Sequence, residues 1–189
     1  MKRRLFIALT LPEAVISMVD RELDTVRSRY GESAIRFEPK EKWHMTLLFL
    51  GAQDDGMIAN VREAMEAALD GFDWQPLITE DITYAPPHHP RMIWLTLSKR
   101  SSEYFGKLRE RLAAELKARG VAWRDDVQTF RGHITLARLP EAPAEALGAL
   151  RVAHANHCNE YAFELWESKQ STAGSQYSSL VRLAREEKI

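Results

Sequence analysis

"WHMTLLFLG", Trp43 to Gly51, sets His44 and Thr46 two positions apart in a run apolar enough to be a buried strand. Further along, "GHITLARLP", Gly132 to Pro140, repeats the arrangement with His133 and Thr135. Self-similarity of this kind is the mark of an internal repeat. Residues i and i+2 of a strand face the same way. Each run therefore presents an imidazole beside a hydroxyl, while Met45, Leu47, Ile134 and Leu136 turn to the opposite face. A histidine on a core strand is costly unless it is used, because burial lowers its pKa or demands a partner.

The surrounding pattern alternates strands with amphipathic helices. "RLFIALTLP" reads as a first strand closed by Pro12, and Val15, Ile16, Val19, Leu23 and Val26 recur at helical spacing up to a stop near Gly31. "IRFEPKEKW" is a strand fragment and loop leading into the first motif. A polar loop, "AQDDG", then precedes a helix marked by Ile58, Val61, Met65 and Leu69. "PLITEDITYAPP" and "RMIWLTLS" are two further strands joined by "APPHHPR". Phe105, Leu108, Leu112 and Leu116 line one face of a third helix, which Gly120 stops and whose other face is solvated. After the second motif come an Ala-rich segment, "EAPAEALGAL", and two alternating runs that form a hairpin around "TAG". The class is α+β, one domain over residues 1–189, with two related halves that share pattern rather than residues outside the motif strands.

Composition bounds the function. The chain has 189 residues, 45% of them hydrophobic, enough for one ordinary globular core. A net charge of −1 gives no general basic field for long nucleic acid, so any anion must be held by a few local groups. A single cysteine, Cys158, excludes an internal disulfide framework and suits a reducing compartment. The opening "MKRR" before an apolar run resembles a signal peptide only superficially, since the run is short, alternates and passes into a charged helix. A cytoplasmic monomer that neither spans a membrane nor holds a metal is the expectation.

Two imidazoles facing each other across a groove form a complete acid–base pair, one removing a proton from water and the other giving one to a leaving oxygen. The threonine hydroxyls can donate to the oxygens between them. A phosphodiester suits such a site, because in-line displacement puts attacking and leaving oxygens on opposite sides of phosphorus. Residues alone do not say which histidine is the acid.

With "HMTLLFLG", "HITLAR", "RLFIALTLP" and "RMIWLTL" in place, the chain resembles the 2H phosphoesterase superfamily, and within it the RNA 2′,3′-cyclic phosphodiesterases, or 2′-5′ RNA ligases, from Arg4 to about Arg185. The resemblance implies a bilobal, pseudo-symmetric fold of two small, mostly antiparallel sheets with helices outside and a central groove. It implies hydrolysis of RNA 2′,3′-cyclic phosphate ends to 2′-phosphates without a cofactor, with His44 the proton donor and His133 the acceptor. By reversal it also implies ATP-independent 2′-5′ joining, and no phosphate-binding P-loop is present. Thr46, Thr135 and Arg138 would then hold the phosphate.

Arg138 stands at odd parity to His133 and reaches the groove only if the strand ends or bulges near Ala137, as Pro140 would help it do; Arg131 is the local rival. The related proteins usually carry proline where this chain has Gly132, which grants the backbone more freedom there. Phe6, Trp43, Phe49 and Phe130 flank the motifs and are candidates to stack a base. His154, His157 and Cys158 have ligand chemistry but lack a second cluster at zinc spacing. Competing readings are a phosphodiesterase for small nucleoside cyclic phosphates or 2′-5′ oligonucleotides, and a non-catalytic binder of RNA ends.

Overall fold

β1 (Lys2–Thr10) runs antiparallel to β3 (Met45–Asp54) on one side and to β9 (Ala162–Ser171) on the other, with β10 (Gly174–Ala184) beyond β9. The computed structural model describes residues 1–87, 89–123, 130–139, 151–153, 156–172 and 174–185, those at 29–34 and 151–153 by backbone alone. His88, Pro140, the "EAPAEALGAL" segment and His154 lie outside the described residues.

The second sheet has the order β2 (Arg36–Phe37), β6 (His133–Arg138), β5 (Met92–Leu97), β4 (Leu77–Ala85), β7 (Arg151–Ala153), and β8 (His157–Cys158) pairs the start of β4. All its pairings are antiparallel. The halves are interlaced. The first and last described strands, β1 and β10, both lie in the first sheet, while β2, from the connection between α1 (Glu13–Ala34) and β3, joins the edge of the second.

Helix α2 (Met57–Leu69) buries Val61, Ala64, Met65 and Ala68, and α3 (Lys99–Ala118) buries Phe105, Leu108, Leu112 and Leu116 at the spacing of one helical face. The side chain of Ser98 caps α3 by accepting from the Ser101 N–H at 3.2 Å. Its far end is a Schellman turn in which Gly120, at φ +69°, donates to the Lys117 carbonyl and Val121 to that of Leu116. α2 and α3 pack together, and α3 reaches both β3 and β4. One continuous core runs from Leu5, Ile7 and Leu9 through Met45 and Leu48 to Ile93, Leu95 and Ile134.

Three readings of the sequence are corrected. α1 continues past Gly31 to Ala34 before Ile35 turns extended, because a glycine inside a helix costs only about 1 kcal/mol and does not stop it by itself. "AQDDG" is mostly strand: Gln53 and Asp54 pair with Arg3 and Lys2, and Arg3 ties off the end on Asp55 at 2.5 Å. The halves also share more than pattern. Strand register superimposes "FIALTL" (Phe6–Leu11) on "MIWLTL" (Met92–Leu97), since Ala8 faces Thr46 as Trp94 faces Thr135, and Ile7 faces Leu48 as Ile93 faces Ala137. The likeness is short, and only the common pairing reveals its frame.

Candidate active site

His44 immediately precedes β3 and His133 opens β6, both half-buried. Each is fixed in the same way. Nδ1 of His44 lies 2.6 Å from the Lys42 carbonyl, and Nδ1 of His133 lies 2.7 Å from the Arg131 carbonyl. A carbonyl only accepts, so Nδ1 carries the hydrogen and donates, and Nε2 of each ring is left to exchange a proton with something else. Both motifs thus anchor the imidazole on the backbone two residues upstream and present the same nitrogen.

A bulge then decides what accompanies each histidine. β3 pairs Thr46 with Ala8 but Leu48 with Ile7, so Leu47 is the extra residue; β6 pairs Thr135 with Trp94 but Ala137 with Ile93, so Leu136 is. An inserted residue reverses the alternation beyond it. Leu47 and Leu48 are accordingly both buried, as are Leu136 and Ala137, and Phe49 and Arg138 come round to the faces of Thr46 and Thr135. The two sites are equivalent in register, Phe49 facing Phe6 as Arg138 faces Met92. One lobe fills the slot with an aromatic ring and the other with a guanidinium.

The two motifs meet. β3 and β6 are in contact, with Gly132 against Sδ of Met45 beside the two histidines, and the charges of His133 and Arg138 act on His44. Burial pushes both histidines below their ordinary value of 6.5, outweighing the carbonyl bonds that favour the charged forms. Among the described residues the Thr46 and Thr135 hydroxyls have no hydrogen-bond partner in the protein. Arg138 donates through Nε to Glu38 Oε1 at 2.6 Å. Arg131 is exposed and takes part through its carbonyl, under His133.

The family model for the 2′-5′ RNA ligase superfamily matches residues 17–169, which takes in both motifs. The chain belongs to that superfamily. A Methanothermobacter thermautotrophicus protein named RNA 2′,3′-cyclic phosphodiesterase is 25% identical over 95% of this chain and 97% of its own length. A Thermotoga maritima protein of the same name is 27% identical over 74% of this chain and 72% of its own. Among solved structures, a Thermus thermophilus protein superimposes with a TM-score of 0.75 at 25% identity, covering 96% of this chain and 97% of its own. Escherichia coli LigT, crystallised with 3′-AMP, superimposes with a TM-score of 0.68 at 21% identity over 97% and 98% of the two chains, a likeness of fold. The bilobal two-sheet architecture is that of this superfamily.

Of the four flanking aromatics, Trp43 is core, 2% exposed, and Phe130 packs beside Gly106 of α3. Phe6 is buried but its ring centroid lies 5.1 Å from that of His44, and Phe49, 51% exposed, lies 6.0 Å beyond Phe6. Three further rings were not anticipated from the sequence. Trp166 and Tyr177, from β9 and β10, stand 4.9 and 5.4 Å from His44, and Trp94 is stacked on His133 at 3.7 Å and 20°. Trp94 carried a local signal, the alternation of "RMIWLTL". Trp166 carried no signal that pointed to His44, from which it is remote in the chain. Glu38 was also missed.

Among the described residues no group of three His, Cys, Asp or Glu could hold a metal. The buried Cys158 thiol is spent on the Glu160 carbonyl, and burial pushes it up to about 11. No described helix is long and apolar enough to cross a membrane.

Proposed function

We propose that this chain opens 2′,3′-cyclic phosphates at RNA ends, leaving a 2′-phosphate and a free 3′-hydroxyl. The observation that carries this reading is the matched pair of imidazoles, each with Nδ1 spent on a carbonyl, on strands that touch beside them at Gly132 and Met45. Names carried by the archaeal and Thermotoga relatives agree with it.

The chemistry follows from that pairing. Nε2 of neutral His133 takes a proton from water as the water oxygen bonds to phosphorus. The P–O3′ bond breaks on the opposite side, and Nε2–H of protonated His44 delivers its proton to the departing 3′ oxygen. Thr46 and Thr135 donate to the non-bridging oxygens, and Arg138 balances their charge. The indole of Trp94 offers its face to His133 as that ring becomes cationic. Strain in the five-membered cyclic ester supplies driving force, and a ribose hydroxyl taking the place of water would give a 2′-5′ linkage without ATP. A net charge of −1 favours a short end over a long duplex, and the protein acts as a monomer.

Incubating the protein with a 2′,3′-cyclic nucleotide in excess EDTA and following phosphorus NMR tests the reading. A 2′-phosphate product is expected. A 3′-phosphate would reverse the assignment of leaving oxygen, and binding without turnover would make the protein a sensor of RNA ends.

A further inference from the structure

We propose that Arg36 forms a second anion subsite beside the histidine pair, one that takes the phosphodiester on the 5′ side of the terminal nucleoside, so that the protein prefers an RNA end to a free cyclic mononucleotide. This deepens the reading above and rests on it.

Strand pairing puts Arg36 on the face that carries the second motif. In β2, Arg36 and Phe37 stand opposite Arg138 and Ala137 of β6. Residues paired across neighbouring strands share a face of the sheet. Phe37 turns with Ala137 toward the core: it packs against the buried cluster, and the Arg27 guanidinium of α1 lies 5.0 Å from its ring centroid. Arg36 therefore turns the other way, to the face of Arg138 and Thr135, and Glu38, two residues on, does the same. The side chains agree, since Oε1 of Glu38 lies 2.6 Å from Nε of Arg138 and 3.9 Å from a terminal nitrogen of Arg36. The backbone is held there as well. The Glu38 N–H donates at 2.9 Å to the Leu136 carbonyl, and the Glu38 carbonyl accepts at 2.9 Å from Nε1 of Trp43, the residue before His44.

Like charges directly opposite on a sheet repel. Here two guanidinium groups share one carboxylate, which leaves a positive charge over at the edge of the site, in a chain whose net charge is −1. The sharing is uneven. Glu38, 16% exposed, accepts the hydrogen bond of Arg138, whereas its 3.9 Å from Arg36 exceeds hydrogen-bond reach, and Arg36 is 71% exposed. Among the described residues none accepts a hydrogen bond from the Arg36 fork. The cyclic phosphate already has two imidazoles, two hydroxyls and Arg138 to meet it. A guanidinium one strand farther out, roughly 5 Å away across the ladder, suits a second anion. At an RNA end the nearest such anion is the preceding phosphodiester, which a cyclic mononucleoside phosphate lacks. The planar fork of an arginine matches its two non-bridging oxygens.

Arg36→Gln is the test, because it removes the charge and keeps a polar side chain. kcat/KM is measured for adenosine 2′,3′-cyclic phosphate, for the 3′-5′ dinucleotide of adenosine ending in the same cyclic phosphate, and for that dinucleotide with a neutral methylphosphonate linkage. Wild-type protein should favour the charged dinucleotide over the other two. In Arg36→Gln that preference should shrink about five- to tenfold, through KM rather than kcat. The salt dependence of log kcat/KM for the charged dinucleotide should become shallower by about 0.7, and Arg36→Lys should restore it. Equal treatment of charged and neutral linkages by the wild type, or an unchanged preference in Arg36→Gln, overturns the proposal. So does an equal loss on all three substrates, which would make Arg36 a support of Arg138 alone. Calorimetric titration with the corresponding 2′-phosphate products separates binding from catalysis. A wild-type protein that turns over none of the three overturns the functional reading, while the affinities for those products still show whether Arg36 reads the second phosphate.

Discussion

Gly132 and Met45, the residues that adjoin His133 and His44, touch across the seam of the two sheets: a Cβ built on Gly132 would lie 3.1 Å from Sδ of Met45 and 2.9 Å from Cδ2 of Leu97. Gly132 is absent from the residues with positive φ, so its backbone freedom is not what the position uses. It is there for close approach. The absence of a side chain lets the two motif strands lie near enough for their imidazoles to interact, and Leu97 fills the space a larger residue would take.

Gly132→Ala should therefore lower stability by about 1–3 kcal/mol, the usual cost of overpacking. It should also lower kcat by displacing Met45, and with it His44. Leu97→Ala creates a cavity of its own, yet the double variant should cost less than the two singles together. Urea unfolding of the four proteins measures the coupling; simple additivity would mean that the contact is slack.

His44→Ala and His133→Ala should each reduce kcat by a factor on the order of 10²–10⁴ while circular dichroism stays native. The double variant should be little worse than either single, because a relay missing one member is already broken. Near-normal turnover by either single would leave that histidine a packing residue only.

Burial sets the pH response. Both imidazoles titrate below 6.5, so protonated His44 is lost before pH 6.5 is reached from below, and kcat/KM for the free enzyme should peak on the acid side of that value. A bound phosphate anion favours the charged form of His44, so the alkaline limb of kcat should lie higher than that of kcat/KM. The same depression bears on stability. The unfolded chain binds these protons more readily, so the contribution is complete above about 6.5 and is lost as pH falls through the lower folded values. Urea unfolding at pH 7.5 and 5 should show the second weaker.

Phe49 is a large ring held half in solvent beside the aromatic nest of His44. Phe49→Ala should raise KM for a nucleotide roughly tenfold with kcat little changed, since base stacking contributes alike to ground and transition states. An equal fall in kcat would instead place Phe49 among the groups that orient the phosphate.

Glu164, 5% exposed, accepts from Thr10 at 2.7 Å and from Trp166 Nε1 at 2.8 Å, and is paired with Arg182. Burial pushes its carboxyl up, but hydrogen bonds from Ser179, Trp166 and Thr10 and the charge of Arg182 prevail and hold it below its usual value. Glu164→Ala should cost on the order of 2–4 kcal/mol by stranding those donors, and should loosen the indole that packs on His44. Thermal denaturation and turnover should both report it.

Chain order alone determined that two strands each carry an imidazole and a hydroxyl on one face, because a period of two is a local property of extended backbone. Helical spacing likewise placed the buried faces of α2 and α3, and Gly120 placed the end of α3. Folding decided what lies beyond the bulges at Leu47 and Leu136, because the direction of a side chain past an insertion depends on the register of the neighbouring strand. Phe49 and Arg138 became equivalent only there. Glu38, Trp166 and the Gly132–Met45 contact also waited for tertiary structure, since each joins segments remote in the chain and no local period points from one to the other. What the sequence could offer at the arginine was a condition, a bulge or an end near Ala137, and strand pairing met it at Leu136.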